Sequence, residues 1–425
     1  MRILKLTPRV EKNLLQARHE RDAAAERIVA RIVADVRKRG DAGLAAWAKK
    51  LDSVDLRRSG VWISQREIGA AAKRVSPDFL RAVRHAIENI CRVAEKQAPR
   101  PWSLEVEPGV EISQGVRPIE AIGCYIPGGR FALISTLLMT VVPAQVAGVP
   151  RITVVCPRPN AELLAAAQLL GIRHVARIGG AQAIAALAYG TKSIPRVDKI
   201  FGPGNRFVTA AKQLVSRDCA IDLPAGPTEA LVLAADSNPK WIAADLLAQA
   251  EHAPDAGSFL VTPSRKLAHA VQKEVLAQLA SLPPESPAHA SMRGTGAILL
   301  APTLEAACAF SNGFAPEHLT LPYGAAPLLK KINASGTIFI GAWSAQPLGD
   351  YISGSNHVLP TGGWARMRGG LSAADFVKCI SVQTINRAGF QRLAADAVSL
   401  ARAEGLLAHA NAVEVRMKNT KEARP

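Results

Sequence analysis

From Ile119 onward the chain alternates short apolar runs with segments of helical spacing, and that alternation limits the fold more than any other feature. Residues 119–125 form a short apolar run that ends in Pro127-Gly128-Gly129. Residues 135–149 space their apolar side chains as a helix does, and residues 151–156 are short and β-branched, as a buried strand is. The pattern repeats with a helix at 161–170, a strand at 174–178, a helix at 181–189, a strand at 197–201 and a helix at 205–215. After a break near 222–227 it resumes as strand 230–233, helix 239–252, strand 259–262 and helix 266–282. Further short segments follow at 297–300, 304–310, 319–321, 325–332 and 337–340. Repeated β-α-β units of this length specify parallel sheets with helices on both faces. There are two such blocks, which suits a chain of 425 residues, too long for one ordinary core.

The flanks differ. Residues up to about 100 read mainly as helix, with Asp41 placed to cap a second helix after Gly40. Pro99, Pro101 and Pro108 mark an irregular stretch. A long helix at 388–406 is followed by a short apolar segment and a polar tail. No run of apolar residues is long enough to span a bilayer, and the first twenty residues lack the pattern of a secretory signal. A cytoplasmic protein with no membrane association is expected. The six cysteines form no CxxC pair and sit at no zinc-finger spacing, so they are expected to be buried free thiols. The net charge of +17 is spread along the chain without a basic block interleaved with aromatics, which make up only 5% of residues. That distribution argues against nucleic-acid binding and mildly favours an anionic cofactor.

No GxGxxG fingerprint is present. Instead Tyr125-Ile-Pro-Gly-Gly129, Gly179-Gly-Ala-Gln182 and Gly202-Pro-Gly-Asn205 each follow a strand. Three such turns at strand ends make a nucleotide crevice plausible where one would not. Gln249 and His252, spaced i and i+3 at a helix end, offer half of a metal site or simply a polar last turn. Glu317 and His318 are an acid and an imidazole side by side. Adjacent strand residues point to opposite faces, so the two share a site only if a turn lies there. Asp350 sits in a Gly-flanked loop, and Glu404 closes the last long helix with His409 beyond it. An exposed turn, a solvated helix end and a surface imidazole are the plain alternatives.

Taken together, these turns and the stretches Pro224-Ala-Gly-Pro-Thr-Glu229, Ala244-Asp-Leu-Leu-Ala-Gln-Ala-Glu-His252, Ala315-Pro-Glu-His318, Leu348-Gly-Asp-Tyr351, Asn356-His-Val-Leu-Pro-Thr361 and Glu404-Gly-Leu-Leu-Ala-His409 resemble the histidinol dehydrogenase family in content and order. The resemblance covers about 119–416. It implies an α/β chain of two incomplete Rossmann-like domains with parallel sheets, plus a helical tail formed by both termini. Its implied division is a tail at 1–20, a discontinuous first domain at 21–123 and 228–371, a nucleotide-binding domain at 124–227 and a dimerisation tail at 372–425. It implies NAD- and zinc-dependent oxidation of L-histidinol to L-histidine through the aldehyde. One Zn²⁺ per subunit would be held by Gln249, His252, Asp350 and His409. The resemblance makes His318 the proton acceptor during hydride transfer and Glu317 the activator of water. Thr228, His357 and Glu404 would line the substrate pocket, shared by Gln249, His252, His318, Asp350 and His409. Tyr125, Gln182 and Asn205 would contact NAD. It also implies a homodimer in which Glu404 and His409 reach the partner's site. Two departures stand out: Thr228 replaces the serine of many members, and residues 130–134 are bulkier than the family's small stretch. A paralogue acting on another small polar alcohol, such as a sulfonated diol, is the alternative.

Overall fold

The computed structural model describes residues 1–18, 22–128, 132–223 and 226–418. Fourteen strands are formed among them. In chain order they are β1 (Arg2–Lys5), β2 (Trp102–Glu107), β3 (Val110–Pro118), β4 (Ala121–Tyr125), β5 (Arg151–Val155), β6 (Val175–Ala176), β7 (Lys199–Phe201), β8 (Ala220–Ile221), β9 (Glu229–Leu233), β10 (Gly257–Thr262), β11 (Ala297–Leu300), β12 (His318–Leu321), β13 (Thr337–Ile340) and β14 (Val377–Ile385).

Two wholly parallel sheets occupy one compact unit, Met1–Ala98 with Ile119–Phe376. The first has the order β6-β5-β4-β7-β8, and the second β1-β11-β10-β9-β12-β13. Renumbered by appearance, β4 to β8 give 3-2-1-4-5, and so do β9 to β13. That is the doubly wound order lacking its sixth strand. The α/β class and the two incomplete Rossmann-like sheets are therefore as the sequence led one to expect. The alternation that announced them also packs them. Leu231 and Leu233 face one buried cluster with Phe314 and Leu319, while Val232 between them faces another with Leu246 and Val271. Each such fully buried aliphatic contributes about 1.5–3 kcal/mol.

Three elements depart from the expectation. Arg2–Lys5 is a strand that extends the second sheet by pairing with Ala297–Leu300. Its partner lies so far along the chain that no local pattern reports it. The stretch read as irregular around Pro99 to Pro108 holds β2 and leads directly into β3. These pair antiparallel with each other and with β14, whose nine residues run from Val377↔Pro118 to Ile385↔Val110. That sheet belongs to a second compact unit, Pro99–Pro118 with Val377–Pro425. Its strands are mostly exposed and show no alternating apolar face. In the same unit the last long helix, Arg387–Ala403, is followed by a further helix, Leu407–Lys418, where only a short apolar segment was expected.

All six cysteines are free, and four are buried as expected. Cys379 is exposed because it lies on β14, and Cys91 is only half-buried. No helix among the described residues is long and apolar enough to cross a membrane.

Candidate active site

In doubly wound sheets the strand order reverses beside the first strand; the usual ligand crevice opens there at the carboxyl edge, but the site here forms at the opposite, amino edge. In the second sheet that point lies between β9 and β12, which pair directly with His318 opposite Ala230. Thr228 immediately precedes β9, Glu317 immediately precedes β12, and His318 is the first residue of β12. All three therefore sit at the amino edge of the sheet. The helix Pro239–Ala250 runs back from β9, so its C-terminus carries Gln249 to the same edge, with His252 in the turn beyond. Asn238 caps the start of that helix, its side chain accepting from the Lys240 amide.

The acid and the imidazole meet despite their adjacency, because Glu317 stands outside the strand. Glu317 Oε2 lies 3.7 Å from His318 Nδ1, and both side chains are buried. Oε2 accepts from the Glu229 amide at 2.8 Å and from the Thr228 hydroxyl. Thr228 Oγ1 in turn accepts from Gln249 Nε2, whose carbonyl oxygen accepts from Gln346 Nε2. A continuous chain thus links Gln346, Gln249, Thr228 and Glu317. The hydroxyl of Thr228 fills this link as a serine would. Burial pushes the Glu317 carboxyl above its ordinary range, although His318, Thr228 and the Glu229 amide oppose the shift.

His318 Nδ1 lies 3.3 Å from the Glu229 carbonyl, which assigns the ring proton to Nδ1. Nε2 has no hydrogen-bond partner among the described residues, and Asp350 Oδ1 stands 3.4 Å away. Burial alone would lower the His318 pKa, but Glu317 and Asp350 outweigh it and raise it. Asp350 lies on a short helix, Gln346–Tyr351, rather than in the loop expected. Burial works against its ionisation, yet His318, His357 and His252 together hold its carboxyl below the ordinary range. His357 contacts the Asp350 carbonyl through Nδ1 at 2.8 Å and Thr136 Oγ1 through Nε2 at 3.2 Å. Burial lowers its pKa, favouring the neutral ring.

Two neighbours carry no signal in the sequence. Arg18 pairs with both Glu229 carboxylate oxygens, donates to the Phe314 carbonyl and stacks on the Phe314 ring at 3.7 Å. Glu229 fixes both Glu317 and His318 through its backbone, so this pair anchors the strand end beneath them. Gln346 precedes a proline in an otherwise unremarkable segment, and only the hydrogen bond to Gln249 reveals it.

The chemistry of the donors tests the expected metal set. Among the described residues no group of three or more His, Cys, Asp and Glu side chains is arranged to hold an ion. Gln249, His252 and Asp350 nevertheless share one neighbourhood. Gln346 bonds Gln249 and lies one turn from Asp350, whose charge the His252 imidazole stabilises. An amide oxygen, an imidazole and a carboxylate without thiolate suit a site with open positions. The lone Nε2 of His318 and the unpartnered Oε1 of Gln346 are buried beside it. His409 and Glu404 lie in the second compact unit, on the helix Leu407–Lys418 and at the C-cap of Arg387–Ala403.

The three glycine turns converge at the carboxyl edge of the first sheet. Tyr125 ends β4, and its hydroxyl accepts from the Gly180 amide at 3.2 Å. Gly202, at φ +109°, passes so close to the Tyr125 carbonyl that a Cβ would lie 2.1 Å from that oxygen. Gln182 is fully buried, donates to Asp52 Oδ2 at 2.8 Å and leaves its own Oε1 unpartnered. Asn205 caps the helix Arg206–Val215, accepting from the Phe207 and Val208 amides at 3.1 Å. Alongside, Ser53, Pro157, Arg158 and Arg177 line a groove of about 350 Å³. The bulky segment at 130–134 falls partly at 129–131, outside the described residues, as do Pro224 and Ala225.

These features define an α/β enzyme with a buried acid–imidazole pair at one sheet edge and a glycine-turn crevice at another. The histidinol dehydrogenase family profile matches residues 15–417. The histidinol dehydrogenase of Photobacterium profundum is 45% identical over 404 residues, covering 93% of this chain and 90% of its own. That of Methanosarcina barkeri is 44% identical over 397 residues, 91% of each chain. The crystal structure of the Elizabethkingia anophelis histidinol dehydrogenase superposes with a TM-score of 0.93 at 38% identity, over 98% of both chains. The chain belongs to the histidinol dehydrogenase family. Nothing in these matches favours the sulfonated-diol alternative.

Proposed function

We propose that this chain catalyses the NAD-dependent, four-electron oxidation of L-histidinol to L-histidine through L-histidinaldehyde, in histidine biosynthesis. The observation that carries the mechanism is the buried pair of Glu317 and His318, each oriented by the backbone of Glu229. With its proton on Nδ1, His318 presents a free Nε2 to the substrate hydroxyl. It takes the hydroxyl proton as a hydride passes to NAD⁺ and the aldehyde forms. Glu317 then takes a proton from the water that attacks the aldehyde carbon, while His318 returns its proton to the former carbonyl oxygen, so that the hydrate forms and Nε2 is free again. His318 accepts the hydrate's hydroxyl proton as a second hydride passes to a second NAD⁺, and the carboxylate results. Burial around the pair keeps bulk water away from the aldehyde between the steps.

Tyr125, Gln182 and Asn205 are our assignments for contacts to NAD. Zn²⁺, one per subunit, would be held by Gln249, His252, Asp350 and His409, supplying a Lewis-acid anchor for the imidazole and amino nitrogens of the substrate. Thr228, His357 and Glu404 complete the pocket, and the Glu404 carboxylate suits the substrate's ammonium group. His409 and Glu404 belong to a different compact unit from the other site residues. On this reading they are His409 of the partner subunit and Glu404 of the partner subunit, and the enzyme is a homodimer. The reading also places it in the cytoplasm, where histidine synthesis draws on NAD.

An assay with L-histidinol, NAD⁺ and Zn²⁺ tests the activity: two NADH should appear per histidinol consumed. No NADH, or one NADH with aldehyde accumulating, refutes it. For the shared site, Glu317→Gln and His409→Ala chains, each deficient in forming histidine, are unfolded together and refolded, and histidine formation is followed. Mixed dimers should regain activity that neither parent has, and no regain refutes sharing.

A further inference from the structure

The turn Gly202–Asn205 is held by a buried ion pair that the reaction itself does not use. Lys212, on the helix Arg206–Val215, and Asp222, just past β8, form a close pair with side chains 4% and 1% exposed. Both close on the same glycine. Lys212 Nζ donates to the Gly202 carbonyl at 2.9 Å, and Asp222 Oδ2 accepts from the Gly202 amide at 2.7 Å. The other Asp222 oxygen accepts from the Leu223 amide at 2.6 Å, and Arg368 donates to the Asp222 carbonyl at 2.6 Å. Both backbone groups of Gly202 are thus tied to one salt bridge. Gly202 is the residue whose strained φ lets the chain pass over Tyr125. A neutral hydrogen-bonded pair could cap the turn as well, and a fully buried charge pair is costly to desolvate. Its geometric return here is a rigid turn.

We propose that Lys212 and Asp222 are positioning residues for the dinucleotide. By fixing the Gly202 peptide they hold Tyr125 and Asn205 in the register that receives the cofactor. They set its affinity without touching substrate or cofactor. This rests on the assignment of Tyr125, Gln182 and Asn205 to NAD.

The test uses Lys212→Met, Lys212→Arg and Asp222→Asn in the full-length protein, with Asn205→Ala as the control for the cofactor assignment. NADH binding is followed by its fluorescence, and initial rates are measured against NAD⁺ and L-histidinol separately. The expected result is a tenfold or greater rise in the NADH Kd and in the KM for NAD⁺. The KM for histidinol and the kcat at saturating NAD⁺ should stay within about threefold of the parent, with Lys212→Arg intermediate. Should Lys212→Met fail to fold, the near-isosteric Asp222→Asn decides by the same criteria. Folded variants that bind NADH as the parent does, while Asn205→Ala binds it weakly, overturn the positioning role alone. An Asn205→Ala protein that binds NADH as tightly as the parent overturns the cofactor assignment, and the positioning role with it.

Discussion

Replacing Glu317 by Gln separates the two oxidations. Gln is nearly isosteric, and its carbonyl oxygen can still accept from the Glu229 amide and the Thr228 hydroxyl that now serve Oε2. The buried position therefore keeps its partners. The carboxyl there is already pushed toward the neutral form by burial, so a neutral amide costs little stability. What disappears is a base for water. General-base catalysis is worth about 10²–10⁴ in rate, or roughly 2.7–5.4 kcal/mol of activation free energy. The oxidation of aldehyde should fall by that factor. The oxidation of alcohol, which draws on His318, should fall less than about tenfold. Single-turnover NADH formation, started from histidinol in one experiment and from histidinaldehyde in another, measures each step. Equal losses in both half-reactions would refute the division of labour between Glu317 and His318.

The Arg18–Glu229 pair, 9% and 6% exposed, should cost about 3–5 kcal/mol when Arg18→Met leaves the carboxylate buried alone, and Arg18→Met with Glu229→Gln should recover most of it. Urea unfolding reads both, and a loss below about 1 kcal/mol for the single variant would contradict the argument. Asp245 is raised to about 6 by burial. Its folded pKa exceeds the unfolded value, so the ionised group opposes folding at high pH and is harmless below about pH 4. Asp245→Asn should therefore stabilise the protein by about 2–3 kcal/mol at pH 8, a gain that fades as pH falls through 6 toward 4. An equal effect at both ends of that range would sink the claim. Chelation should abolish turnover, and Zn²⁺ should restore it at one ion per subunit by native mass spectrometry. Full activity in a metal-free preparation would remove the ligand assignment.

Much of the site was legible because its chemistry is carried by short contiguous strings. The pair Glu317-His318, the Gln249 to His252 spacing and the three glycine turns can each be read without knowing what lies opposite. Long-range partners could not be read in this way. Arg18 reaches Glu229 across 211 positions, and Thr136 reaches His357 across 221. Gln346 has no motif around it at all.

The sequence by itself determined the two blocks of parallel β-α-β units, because a strand and its crossover helix are written in neighbouring residues whose apolar spacing is local. It could not determine that Glu317 and His318 would share a site. Adjacent residues in a strand face apart, and only the pairing of β12 with β9 decided where the strand begins. Nor could it place the reacting groups at the amino edge of the second sheet and the glycine turns at the carboxyl edge of the first. It likewise left unread the antiparallel sheet of β2, β3 and β14, in which β14 reaches β3 only after more than 250 intervening residues have folded. Hydrogen bonds between such distant segments depend on where the whole chain has brought them, and no window of neighbouring residues records that position.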